Sequence, residues 1–204
     1  YDAVQRESEA ARTNAGILDA STLGKIDIQG IDASEFLNRV YTNAWSKLAI
    51  GKCRYGLMLN EDGMVYDDGV TTRLDENHYI MTTTTGGAAN VMAKLEDYLQ
   101  TEWPELDVYL TSVTDHFATV SVCGPNSNKI LNKIIPSLDL SDENFPHMSF
   151  KNDLVDGVKC RVMRISFTGE LSYEINVEAS YGKAIWEKCM EAGKEFNITP
   201  YGTE

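Results

Sequence analysis

The residues best suited to chemistry in this chain of 204 are two adjacent carboxylates, Asp67 and Asp68. They close the segment Tyr55-Gly-Leu-Met-Leu-Asn-Glu-Asp-Gly-Met-Val-Tyr-Asp-Asp-Gly-Val70, which reads as two strand-like runs around a Glu-Asp-Gly turn. Side chains alternate between the faces of a sheet, so one Asp is solvated and the other looks inward. An inward carboxylate is costly as a charge unless it is paired or functional. Such a group can take a proton from a reacting atom or stabilise a developing cation. By alternation alone the pair is either catalytic or solvated beside a turn.

Other chemistries find little support. Neither GxGxxG nor GxxxxGK[ST] occurs. Gly86-Gly87 before a helix could offer backbone N–H groups to an anion, or could simply be two flexible residues at a helix start. His78, His116 and His147 are isolated from one another and from any cysteine at ligand spacing, so no metal site is expected. Ser21, Ser166 and Ser172 lack the strand–elbow context of a nucleophile.

The elements that must carry these residues follow from periodicity. The stretch 2–15 suits an amphipathic surface helix, and 25–29 alternates as a strand. Asp32 caps a predicted helix to Tyr41 with Phe36, Leu37, Val40 and Tyr41 on one face. Strand character returns at 71–74 and 79–81, and a helix after Gly86-Gly87 carries Val91, Met92, Leu95, Tyr98 and Leu99. In the second half 108–110 and 118–122 read as strands, and Gly124-Pro125-Asn126 stops the chain before a helix through Ile130, Leu131 and Ile134. Residues 159–165 and 172–177 form a second hairpin around Thr168-Gly169-Glu170, and 181–196 is a last helix with Ile185, Trp186, Cys189 and Met190 inward. On the 172–177 strand Tyr173 and Ile175 are inward, which turns Glu174 outward. Hairpins interspersed with helices give an α+β class, antiparallel sheets with packed helices, and the two hairpin-plus-helix blocks suggest a weak internal duplication.

Composition bounds the rest. Hydrophobic residues make up 43% and charged ones 24%, as in a globular protein. A net charge of −13 argues against nucleic acid and anionic membrane surfaces, which need a basic face. No apolar run approaches the roughly 20 residues that span a bilayer. Cys53, Cys123, Cys160 and Cys189 have no CxxC spacing and read as reduced, buried small hydrophobes, so a cytoplasmic location is expected. The start without Met and the helix-start signal at Pro200–Glu204 suggest a piece of a longer polypeptide.

Five ordered motifs carry a resemblance that covers nearly the whole chain. The Tyr55–Asp68 segment resembles the folate-binding core of the glycine-cleavage aminomethyltransferase family, with its Tyr, Asn-x-x-Gly turn and Asp-Asp. Arg12-Thr-Asn-Ala-Gly-Ile-Leu-Asp-Ala-Ser21 is similar to the family's Arg-x-x-x-Gly-hydrophobic-hydrophobic-Asp-x-Ser. Thr42-Asn43, Gly124-Pro125 and Arg164-Ile-Ser-Phe-Thr-Gly-Glu-Leu-Ser-Tyr-Glu174 match its Thr-Asn, Gly-Pro and Arg-x-x-Tyr-Thr-Gly-Glu-x-x-Phe-Glu. Gly69 replaces the usual Leu, Thr82-Thr-Thr-Thr-Gly-Gly-Ala-Ala89 replaces a Val-Asn-Ala stretch, and Leu99–Pro104 and Asn197–Glu204 are further variants. These resemble the branch of the family found as the C-terminal folate-binding region of heterotetrameric sarcosine oxidase alpha subunits.

The resemblance implies one folate-binding domain over 1–204, with interleaved subdomains near 28–115 and 1–27 plus 116–204, and a beta-rich last domain beyond. It implies that tetrahydrofolate receives the one-carbon unit of an oxidised N-methyl amine, giving 5,10-methylenetetrahydrofolate. It places Asp68 beside the reacting folate nitrogens as the catalytic carboxylate, with Asp67 as its solvated partner. Glu174 grips the pterin, a heterocycle whose paired donors suit one carboxylate. Tyr55 lies near the cofactor, although a core aromatic on a strand is an equal reading of that residue. Phe167 keeps the ring of a family Tyr without its hydroxyl, Thr84 aligns with a family Asn, and Thr22-Leu23 replaces a His-Met. The implied partners are other oxidase subunits and a small-molecule amine or imine, with FAD, FMN and NAD elsewhere in the complex. The alternatives are an aminomethyltransferase acting on a lipoyl-bound intermediate, and a non-catalytic folate-binding module. The module's usual Cys motif is missing from Arg164–Glu174.

Overall fold

The computed structural model describes residues 2–203. In chain order its first elements are α1 (Asp2–Thr13), β1 (Gly16–Asp19), β2 (Gly24–Gln29), α2 (Ala33–Val40), β3 (Cys53–Leu59), β4 (Val65–Asp75), β5 (His78–Thr83), α3 (Ala88–Asp97) and β6 (Tyr109–Ser112). There follow β7 (Phe117–Cys123), α4 (Ser127–Ile134), β8 (Ser149–Val155), β9 (Val158–Arg164), β10 (Ser172–Glu178), α5 (Gly182–Gly193) and β11 (Thr199–Pro200). They divide into two compact units, one of Thr22–Asp115 and one made of the chain up to Ser21 and from His116 onward. The class is the α+β arrangement expected, antiparallel sheets with packed helices.

In the Thr22–Asp115 unit a five-stranded sheet runs β3-β4-β5-β2-β6, antiparallel throughout. Phe36 and Leu37 of α2, Trp45 of the following turn, and Val91 and Leu95 of α3 bury themselves with Ile26, Ile28, Met58, Tyr79 and Met81 of the strands. Phe36, Leu37, Val91 and Leu95 are among the apolar positions that helical spacing singles out. Trp45 presses so closely on β3 that a Cβ at Gly56 would sit 2.6 Å from its ring. Asp32 does not cap α2 through its side chain; its carboxylate accepts the Asp107 N–H at 2.9 Å and ties the loop before β6. Residues 71–74 are not a separate strand but the continuation of β4, which runs unbroken from the Asp pair to Asp75.

In the other unit six strands run β11-β1-β7-β10-β9-β8, with β1–β11 the parallel pair. Ile17, Val120, Val122, Val162, Tyr173, Ile175 and Val177 face Ile130, Leu131 and Ile134 of α4 and Ile185 and Cys189 of α5. Strand β10 is central, and every residue from Ser172 to Val177 is buried, so both of its faces are covered. That overturns the outward placement of Glu174. The four cysteines are unbridged and buried. Pro200, read as the opening of a helix start over Pro200–Glu204, instead pairs with Ile17 at the sheet edge, beside Thr199 on Gly16, where a proline costs no ladder hydrogen bond. Among the described residues no helix is long and apolar enough to cross a membrane.

Candidate functional site

The register of β3 on β4 decides where the two carboxylates go. Met58 pairs with Asp67 and Leu57 with Asp68. Met58 belongs to the core, so its partner Asp67 is carried to the core face and is only 4% exposed. Asp68 emerges on the opposite face, partly exposed. The two faces split as alternation requires, but the expectation of a solvated Asp67 is corrected: the resident of the interior is Asp67.

Asp68 shares its face with Tyr55, which is 50% exposed and so is not a core aromatic. The Tyr55 hydroxyl donates to Asp68 Oδ2 at 2.8 Å, and this bond to a carboxylate pushes the phenol above its ordinary value. Strand β3 is pinned at this point from the side, because Asn43 Nδ2 donates to the Tyr55 carbonyl at 2.6 Å. Nearby Tyr41 is buried with its hydroxyl on Met81 Sδ at 3.8 Å. Burial first, and then the charges of Asp67 and Asp68, drive its phenol far up. The negative potential of the pair is therefore felt by a phenol buried in the core. A carboxylate on an accessible face, held by a phenol, can accept a proton or hold a cation next to it.

On the core face Asp67 accepts the Thr84 hydroxyl at 2.6 Å through Oδ1 and the Thr84 N–H at 3.2 Å through Oδ2. Thr84 Oγ1 accepts in turn from the Gly87 N–H at 3.1 Å, just before α3 begins. Burial raises the Asp67 carboxyl above its ordinary value and Asp68 adds to that, while the bonds from Thr84 work against it. Thr84 therefore lies beside the Asp pair through Asp67, with an otherwise exposed side chain. No sequence signal points to this Asp67–Thr84 bond, because 17 residues separate its partners.

Phe167 and Glu174 lie in the other unit. Glu174 is 7% exposed and stands on β10 between Ser121 of β7 and Met163 of β9. Its face of the sheet is polar though covered: Ser121 and Ser172 hydroxyls lie 3.4 Å apart, and Thr119 donates to Asn176 Oδ1 at 2.7 Å. Tyr201 lies against this face, its phenol raised by burial and then by Cys123 and Glu174. Phe167 is 66% exposed on the turn between β9 and β10. Arg12 holds that turn to α1, donating to the Thr168 carbonyl at 2.9 Å and to Glu170 at 2.7 Å. Phe167 also lines a cavity of about 240 Å³ with Glu7, Arg12 and Tyr201. Motif order singles out Arg12 and Glu170, but the bond between them appears only in the fold.

Comparison with known proteins identifies the family. The model of the GCVT N-terminal domain matches residues 1–204. The chain is 56% identical to sarcosine oxidase subunit alpha of Corynebacterium sp. (strain P-1) over 203 residues, covering 99% of this chain and 21% of that protein. It is 33% identical to the aminomethyltransferase of Geobacillus sp. (strain WCH70), covering 99% of this chain and 54% of that one. The crystal structure of the glycine cleavage system aminomethyltransferase T from Bartonella henselae superposes with a TM-score of 0.82 at 25% identity, over 98% of this chain and 51% of that chain. The chain thus spans about a fifth of the first relative and about half of the second. It belongs to the GCVT N-terminal domain family.

Proposed function

We propose that this member of the GCVT N-terminal domain family is the tetrahydrofolate-dependent one-carbon transfer region of a sarcosine oxidase alpha subunit. The observation that carries the proposal is the Asp68–Tyr55 pair, a carboxylate on an accessible strand face with a phenol donating to it at 2.8 Å. Identity of 56% over 99% of the chain favours the oxidase branch over the stand-alone aminomethyltransferase at 33%.

The residues present suit the cofactor. On the Thr22–Asp115 unit Tyr55 offers an exposed ring for a flat heterocycle. Tetrahydrofolate, when bound, supplies the two nitrogens that take up the methylene carbon. The carbon comes from the imine that amine oxidation elsewhere in the complex yields from N-methylglycine. Its bond to the glycine nitrogen breaks, two folate N–H hydrogens leave, and two N–H bonds form on glycine. Asp68 contributes negative charge beside the cationic carbon and accepts a proton as it leaves nitrogen. Tyr55 keeps one oxygen of Asp68 in place while this happens. Thr84 adds a polar group within the same unit, and the roles of Glu174 and Phe167 toward the pterin are those the resemblance implies.

The test uses the intact oxidase complex supplied with sarcosine, with and without tetrahydrofolate. The expected result is that formaldehyde falls and 5,10-methylenetetrahydrofolate rises by the same amount when folate is added. Unchanged formaldehyde would remove the transfer role. Release of ammonia from a lipoyl-bound aminomethyl group would favour the aminomethyltransferase instead.

A further inference from the structure

Asp67 is the one carboxylate of the pair that the transfer reading leaves without work. It is 4% exposed and faces Met58 across the sheet, where an apolar side chain would pack with no desolvation cost. Replacing a buried charge by an apolar group of similar size is often neutral or stabilising, so packing alone does not account for an acid here. What a carboxylate adds is direction. Both of its oxygens accept from one residue, Thr84, and through Thr84 Oγ1 the contact extends to the Gly87 N–H at the head of α3. The fit leaves no slack: a Cβ at Gly87 would lie 2.5 Å from Asp67 Oδ1 and 2.6 Å from Thr84 Oγ1.

The end of β5, just before that loop, holds β4 a second time. The Val70 N–H donates to Thr82 Oγ1 at 3.0 Å, three residues beyond Asp67. The stretch Asp67–Val70 is therefore fastened to residues 82–87 at both ends, and Asp68 lies between the fastenings. Asp68 and Asp67 share a peptide bond and point to opposite faces, so Asp67 does not touch the reacting atoms. Any shift of its backbone is passed to Asp68 undiminished.

We propose that Asp67 is a positioning residue, which through Thr84 fixes β4 against the loop before α3 and so sets where the Asp68 carboxylate stands. The proposal rests on the transfer reading given above. A misplacement on the order of 1 Å at a catalytic group costs up to ~10²-fold, which sets the size of the effect.

The experiment measures 5,10-methylenetetrahydrofolate formed per amine consumed, in the full-length protein with its partner subunits, as tetrahydrofolate is varied. Asp67→Asn and Thr84→Val are expected to lower the saturated ratio by roughly 10- to 10²-fold each. For Asp67→Asn the half-saturating tetrahydrofolate should stay within about threefold, the pattern of a lost transition-state arrangement and not of lost binding. The double variant should be no worse than the worse single one, because both cut the same fastening. Thr84→Ser, which keeps the hydroxyl, should recover most of what Thr84→Val loses. If Asp67→Asn does not fold, the Thr84→Val and Thr84→Ser pair decides alone. The proposal is overturned if Asp68→Asn collapses the ratio while Asp67→Asn and Thr84→Val leave it intact, or if their effects add. If Asp68→Asn itself leaves the ratio unchanged, the transfer reading falls and this proposal with it.

Discussion

Replacing Asp68 by Asn changes almost nothing in shape and removes both the charge and the proton acceptor. The amide oxygen can still accept from the Tyr55 hydroxyl, now 2.8 Å from Oδ2, so the local arrangement should survive. A positioned acid or base contributes ~10²–10⁴-fold, and Asp68 is partly exposed, where water screens part of its charge. We therefore expect the lower half of that range, ~10²–10³-fold, or about 3–4 kcal/mol at 1.36 kcal/mol per decade. The assay is single-turnover transfer in the intact complex, with sarcosine oxidation followed in parallel by amine consumed. Oxidation draws on other parts of the protein, so formaldehyde should rise as methylenetetrahydrofolate falls. Folate binding should persist, since the residue assigned to the pterin is Glu174. A variant that transfers within a factor of about three of the parent would refute the reasoning, because the barrier change would then be under ~0.7 kcal/mol.

Three further outcomes are expected. Glu174→Gln should weaken tetrahydrofolate binding by roughly 1.5–3 kcal/mol, the range for hydrogen bonds to a charged group, and calorimetry showing unchanged affinity would remove Glu174 from recognition. Gly69→Ala should destabilise the protein by about 1–3 kcal/mol in denaturant unfolding, because a Cβ there would overlap the Thr82 carbonyl oxygen and force β4 and β5 apart. Asp67 has its folded carboxyl raised above the ordinary 3.8, so its contribution to stability is whole below that value and is lost as pH rises through the raised one. The unfolding midpoint of the parent should accordingly fall relative to Asp67→Asn with rising pH, and a flat or opposite trend would contradict the burial of the charge.

Much of this fold is legible because apolar side chains recur at helical or strand spacing. Phe36 and Leu37, Val91 and Leu95, and Ile130, Leu131 and Ile134 mark their own helices and all are buried. Strand β8, Ser-Phe-Lys-Asn-Asp-Leu-Val, was illegible for the opposite reason: it is a sheet-edge strand in which only its two end residues are buried. Strands β1 and β11 are four and two residues long, too short for any period to show. The Tyr173–Ile175 alternation predicted one open face on β10, but a strand in the middle of a sheet with both faces covered buries its polar residues as well.

The Asp pair shows where pattern gives way to geometry. Alternation dictates that Asp67 and Asp68 part company, yet it does not say which of them is enclosed. Strict alternation would put the apolar Tyr66 and Val70 on the face of Asp68 and so enclose Asp68, but the register shift beside Met58 leaves Tyr66 packed against the core. The answer comes from across the ladder, where Met58 faces Asp67 and Leu57 faces Asp68. It also comes from Thr84, whose hydroxyl and N–H are both aimed at the buried acid. Gly69 belongs to the same argument. The resemblance marks it as a departure from Leu, and the structure gives that departure a cause: β4 approaches β5 too closely there for any side chain. In place of the next backbone bond, the Val70 N–H reaches the Thr82 hydroxyl. A Leu at this position would have to push β4 off the loop that fastens Asp67. The glycine, the threonines and the buried acid thus act on one short stretch of strand, and the residue that stretch presents on its open face is Asp68.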